Sequence, residues 1–127
     1  MNALVCGGRD FTNAHLMNEV LDGIHAATII SLVIHGGARG TDTLAGTWAL
    51  WHGVDVQCYP AEWEVYGRAA GFVRNQYMLD VSLPDLVVAF PGGRGTADMV
   101  RRARASGVPV VFVGNIPYLR GGVTWAG

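Results

Sequence analysis

Three glycine-rich stretches hold the residues that can do chemistry. The fullest is Phe90-Pro91-Gly92-Gly93-Arg94-Gly95-Thr96-Ala97-Asp98-Met99. An apolar run, Leu86 to Phe90, leads into it, and a helical pattern from Met99 to about Ser106 leads out. Glycines at such a handover let a ligand approach the main chain closely. The unpaired N–H groups of a new helix, with the positive dipole end behind them, favour an anion. Arg94 adds a guanidinium that can fork onto phosphate. The pattern recurs in Gly7-Gly8-Arg9-Asp10 and in His35-Gly36-Gly37-Ala38-Arg39-Gly40-Thr41-Asp42, so each loop carries an arginine beside glycines.

Two loops feed a threonine and an aspartate towards a helix start. Thr41 and Thr96 either cap their helices or bond a phosphate oxygen. Asp42 and Asp98 either suit the helix dipole or accept ribose hydroxyls. Trp63 and Tyr66 either stack on a base or pack under a connection. His35, closing a strand beside glycines, is a candidate for the pocket wall, whereas His15, His25 and His52 read as helix residues. The histidines show no metal-ligand spacing, so no metal is expected. Cys6 and Cys58 lie in apolar runs and read as two buried free thiols; Cys6 has no evident partner that would make it a nucleophile.

The positioning elements follow from the hydrophobic pattern. Strands are expected at Ala3–Cys6, Ile29–Ile34, Val54–Tyr59, Leu86–Phe90 and Val110–Val113. Helices are expected from about Asn13 to Ala27, to about His52, from about Phe72 to Val81, and after the central loop. In the second helix Leu44, Ala45, Trp48 and Trp51 form the expected core face, with Gly53 as its stop. Alternating strands and helices, with continuous apolar strands, indicate an α/β, Rossmann-like three-layer domain with a parallel sheet of about five strands, spanning residues 1–127. Ligands of such sheets bind beyond the strands' carboxyl ends, where all three glycine loops fall. The tail from Gly114, glycine-rich with Trp125, reads as a short strand or a partner-binding edge.

Composition excludes several classes. All nine basic residues are arginine, which removes a P-loop lysine and a Schiff-base lysine. The net charge of −1 argues against a nucleic-acid partner. No apolar run is long enough for a membrane span and no signal peptide is evident, so a cytoplasmic location is expected. The G-x-G-x-x-G fingerprint is missing, and His35 stands where a dehydrogenase has its ribose-binding acid.

Taken together, the stretches resemble the SLOG superfamily, the Rossmann-like group of the DNA-processing protein DprA and the cytokinin-activating LOG enzymes. The chain looks most like the small stand-alone YspA-type branch of phages and bacteria. The resemblance rests on Val5 to Phe11, His35 to Asp42, Trp63 with Tyr66 to Gly71, Arg74-Asn75 with Met78, and Pro91 to Met99. It implies a nucleotide or nucleotide-derived signal at the glycine-lined edge, and self-association as a homodimer or higher homo-oligomer. LOG enzymes cleave the N-glycosidic bond of nucleoside 5′-monophosphates with a pattern P-G-G-x-G-T-x-x-E and an arginine on the preceding helix. Arg74 fits that arginine. The glutamate falls on Met99, which carries no charge, and Asp98 stands one residue early, about 100° round a helix.

The leading expectation is therefore a binder of a nucleotide or of an NAD- or ADP-ribose-derived ligand, needing no cofactor. Arg9, Arg39, Arg74 and Arg94 are the charged candidates, with Asn75 beside them. The rival is a LOG-like phosphoribohydrolase in which Arg74 and Asp98 would be the catalytic candidates. A DprA-like DNA module is the weakest reading.

Overall fold

A computed structural model describes residues 1–114 and the backbone of 123–125. The strands are β1 Asn2–Cys6, β2 Leu32–His35, β3 Asp55–Cys58, β4 Leu86–Ala89, β5 Val110–Val113 and β6 Val123–Trp125. The helices are α1 Ala14–Ala27, α2 Thr41–Trp51, the short α3 Trp63–Tyr66, α4 Ala70–Ser82 and α5 Arg94–Ala105. A single 3-10 turn, Gly67–Ala69, joins α3 to α4. All pairings are parallel, in the order β3-β2-β1-β4-β5-β6. The sheet thus has six strands, the sixth coming from the tail. Residues 115–122 and 126–127, where the partner-binding alternative for the tail partly falls, lie outside the described residues.

The β-branched, apolar strands β1, β2, β4 and β5 are largely buried on both faces, as the inner strands of a covered parallel sheet are. On one face α1 and α2 cover Ala3, Val5, Val33 and Val88 with Met17, Val20, Leu21, Ala45 and Trp48. On the other, α4 and α5 cover Leu4, Ile34, Val87 and Ala89 with Met78, Leu79, Met99 and Val100. Asn13 caps α1 by accepting the Leu16 N–H at 3.0 Å. Trp48 is buried, and its indole Nε1 donates to Asp22 Oδ1 across the helix pair at 2.8 Å.

Several expectations are corrected. β2 starts at Leu32 rather than Ile29, because pairing begins where Asn2 meets Leu32; Ile29 is exposed. Trp51 is 81% exposed, and Ala49 completes the inner face of α2 instead. Three residues past Trp48, the Trp51 side chain is turned outwards by roughly 100° from the face set by Ala45, Trp48 and Ala49. β3 is an edge strand with all four residues exposed, so Cys58 is exposed and only Cys6 is a buried thiol. α5 begins at Arg94, about a turn earlier than the pattern from Met99 indicates. The expected loop up to Asp98 is therefore only residues 90–93.

The chain runs outwards from β1 through β2 to β3, then returns to β4 beside β1 and runs the other way. The order reverses between β1 and β4. The crevice that such a reversal opens lies at the loops leaving these two strands.

Candidate functional site

A cleft of about 380 Å³ opens at that reversal. Its loops are tied to one another. Gly8 N–H donates to Pro91 O at 2.8 Å, and Thr41 donates to Gly8 O from both its N–H (3.2 Å) and its hydroxyl (3.0 Å). Gly40, at φ +75°, passes so close to the Arg9 carbonyl that any Cβ would collide with it. Thr41 is thus a fully buried tie between loops. Neither threonine is a cap: Gly40 and Gly93 are the N-cap residues, and neither helix has a side-chain cap bond.

The start of α5 forms one wall. The first turn of a helix offers N–H groups without intrahelical acceptors. The N-cap residue Gly93 supplies no side-chain cap bond, and the first intrahelical bond is Ala97 N–H to Gly93 O at 3.1 Å. A Cβ at Gly93 or Gly95 would meet nothing within 4 Å, so both glycines present bare faces. Thr96 is only 5% exposed, and its hydroxyl has no hydrogen-bond partner among the described residues. All three line the cleft.

The facing wall comes from α4, where Gly71, Arg74, Asn75 and Met78 share one helix face. Arg74 Nη1 donates to Gly36 O at 2.7 Å and Nε donates to Asn75 Oδ1 at 3.0 Å. Gly36 permits this approach, since a Cβ there would overlap the guanidinium. Burial is the main cause that lowers the Arg74 pKa, partly offset by Asp42, while Arg9 pushes it further down. Asn75, 5% exposed, is a brace: its amide donates to Gly95 O at 3.2 Å and Asp98 Oδ2 at 3.0 Å. Arg102 Nε binds the same Asp98 oxygen at 2.8 Å. Asp98 is outside the cleft lining, and a second Arg102 bond to Gln76 at 3.0 Å locks α5 to α4.

Asp42 is the one carboxylate lining the cleft among the described residues. It accepts the Ala38 N–H at 3.1 Å, and burial pushes its pKa up against the lowering effects of that bond, His35 and Arg74. His35 is not in the lining. Its Nδ1 accepts the Gly37 N–H at 3.0 Å, and burial lowers its pKa, so it shapes the loop as a neutral ring. At the rim, the Arg9 guanidinium lies 5.4 Å from the centre of the Trp63 ring, which it covers in place of a base.

Of the residues singled out from sequence, the cleft gathers Gly7, Gly8, Arg9, Gly36, Asp42, Trp63, Arg74, Asn75, Gly93, Gly95 and Thr96. Asp10, His35, Gly37, Arg39, Gly40, Thr41, Pro91, Gly92, Arg94 and Asp98 lie outside its lining. Asp10 and Arg39 pair with each other at 3.0 Å on the surface. Arg68, Phe72 and Met78 were not singled out as site residues. Met78 shares the α4 face of Arg74 and Asn75 and Phe72 lies one turn before Asn75, whereas Arg68 comes from the 3-10 turn ahead of the helix. Met99, where LOG enzymes have their glutamate, is buried and also lines the cleft.

Solved structures share this architecture. DNA processing protein A from Streptococcus pneumoniae superposes with a TM-score of 0.76 at 17% identity, covering 98% of this chain and 58% of that one. The chain thus spans little more than half of that protein. The structural-genomics target TM1055 gives 0.64 at 22% identity, covering 98% and 78%. DNA processing protein A from Helicobacter pylori, described with a single-stranded DNA binding mode, gives 0.66 at 16% identity, covering 93% and 67%. These likenesses establish the fold. In sequence, Gene 61 protein of Mycobacterium phage D29 is 35% identical over 123 residues, covering 90% of this chain and 97% of the phage protein. The family YAcAr, described as YspA, cpYpsA-related SLOG family, matches residues 1–66. The chain belongs to this YspA, cpYpsA-related SLOG family.

Proposed function

We propose that the cleft binds a nucleotide or an NAD- or ADP-ribose-derived ligand by its phosphate. One observation carries the reading: the uncapped start of α5, where Gly93 and Gly95 show bare faces beside the buried, unpartnered Thr96 hydroxyl. A phosphate there takes the N–H groups of Gly95 and Thr96 and the Thr96 hydroxyl, with the braced Arg74 guanidinium opposite. Asp42 accepts ribose hydroxyls, and the apolar side chains of Phe72, Met78 and Met99 offer a surface for the base. Self-association belongs to the same reading; Val73, Tyr77 and Val81 form an exposed apolar stripe on α4. Light scattering over a range of concentrations checks it.

A second reading is an N-glycosidase acting on nucleoside monophosphates. It is favoured by Asp42, a cleft carboxylate whose pKa burial raises, as in many catalytic acids. Met99 and the engagement of Asp98 by Asn75 and Arg102 count against it. Binding of single-stranded DNA, brought by the likeness to DNA processing protein A, meets a chain of net charge −1 without lysine.

One incubation separates these. The protein is mixed with AMP, ADP-ribose, cyclic ADP-ribose and NAD and then ultrafiltered, and each species is quantified by mass spectrometry before and after heat denaturation. A ligand that leaves the filtrate and returns intact on heating supports the binder. Release of free base and ribose phosphate makes the protein a glycosidase, and retention of none of these ligands overturns the ligand class.

A further inference from the structure

We propose that the cleft selects a ligand with two adjacent anionic groups, a diphosphate, the second group being held at the rim by Arg9 and Arg68. This rests on the nucleotide-binding reading and extends it to the number of phosphates. Three arginines, Arg9, Arg68 and Arg74, line one cavity of about 380 Å³, against the single acidic residue Asp42 among the described residues. The α5 start and Arg74 suffice for one phosphate, which leaves Arg9 and Arg68 without a role in its binding.

Neither rim arginine pairs with a carboxylate among the described residues. Other arginines near the site do: Arg39 holds Asp10 at 3.0 Å and Arg102 holds Asp98 at 2.8 Å. Arg9 rests instead on the Trp63 ring, which fixes its position without neutralising its charge. Arg68 follows from the same short segment, in the 3-10 turn directly after α3. Both are exposed, and the repulsion between like charges sharing one mouth is relieved by a bound anion. Arg9 already acts on the far wall, since it is among the charges lowering the pKa of Arg74. The mouth is thus positive where the ligand enters, and a guanidinium pair matches phosphate oxygens by forked hydrogen bonds.

Calorimetric titration of AMP, ADP and inorganic pyrophosphate into the parent and into Arg68→Gln and Arg9→Gln tests this at one fixed ionic strength. Arg68 is exposed in a turn with no buried residue, so its variant is expected to melt with the parent. ADP should bind about tenfold tighter than AMP, and each variant should remove most of that advantage by weakening ADP far more than AMP. Equal affinity of AMP and ADP for the parent, or an ADP affinity indifferent to both substitutions, overturns the proposal and leaves nucleotide binding standing. Pyrophosphate binding as tightly as ADP, and weakened by the same substitutions, upholds the two-anion site but removes the nucleoside from the reading. Failure of all three to bind overturns both.

Discussion

Gly95→Ala separates a binding role from a structural one at the start of α5. Gly95 is the second residue of that helix, and an added methyl meets no heavy atom within 4 Å. Alanine is the better helix former by about 0.5–1 kcal/mol in a helix interior, and by less in a first turn. Stability should therefore hold or rise, with the melting temperature up by about 1–4 °C. The same methyl stands in the cleft. A phosphate oxygen bound to these N–H groups sits at about 2.9 Å from nitrogen, whereas it must keep roughly 3.5 Å from a carbon. The ligand is pushed back, and losing one charged hydrogen bond costs about 1.5–3 kcal/mol, which is about 10–150-fold in Kd. Calorimetric titration and scanning calorimetry on one preparation read both effects. Unchanged affinity in a variant at least as stable as the parent would show that no phosphate rests on α5. Lost stability would refute the reasoning about the open face.

The remaining predictions concern groups that the fold treats differently. Burial raises the Asp42 pKa, so the folded chain holds that proton more tightly than the unfolded chain. The resulting stability is present below the unfolded value and is lost as pH rises through the folded one; urea melts should show the parent losing stability relative to Asp42→Asn from about pH 4 upwards, and a flat or rising difference would contradict this. Trp48→Phe should cost about 1–3 kcal/mol through lost packing and the lost bond to Asp22, whereas Trp51→Ala should stay within about 0.5 kcal/mol in the same urea assay. Iodoacetamide followed by peptide mass spectrometry should find Cys58 alkylated in the native protein and Cys6 only after unfolding, because burial both shields Cys6 and pushes its thiol pKa up.

Much of this fold is legible in the sequence because parallel strands are buried on both faces and read as unbroken apolar runs. β5 falls at Val110–Val113 as expected, and α1 ends at Ala27 as expected. The edge strand reads less well: Val54, Val56 and Cys58 look apolar, but β3 has a neighbour on one side only. Helix starts read worst. Gly93 and Gly95, flanking Arg94, resemble a loop, yet the first turn of α5 tolerates them because its N–H groups need no helical partner. That one-turn shift converts Thr96 from a cap into a buried cleft residue and turns Asp98 towards Asn75 and Arg102. The arginines were legible as a class but not as a set. Composition marks arginine as the anion-binding residue, while only the packing of α4 against α5 distinguishes Arg74, in the cleft, from Arg39, paired on the surface.

The most direct test is a nitrogen-15 NMR titration of the backbone amides with ADP. Phosphate binding at the α5 start predicts the largest shifts at Gly93, Gly95 and Thr96, with the Arg74 side-chain resonance moving alongside them. Shifts confined to another surface, such as the groove between α1 and α2 lined by Asn18, Asp22 and Thr47, or no shifts at saturating ligand, would contradict a nucleotide site at the order reversal between β1 and β4.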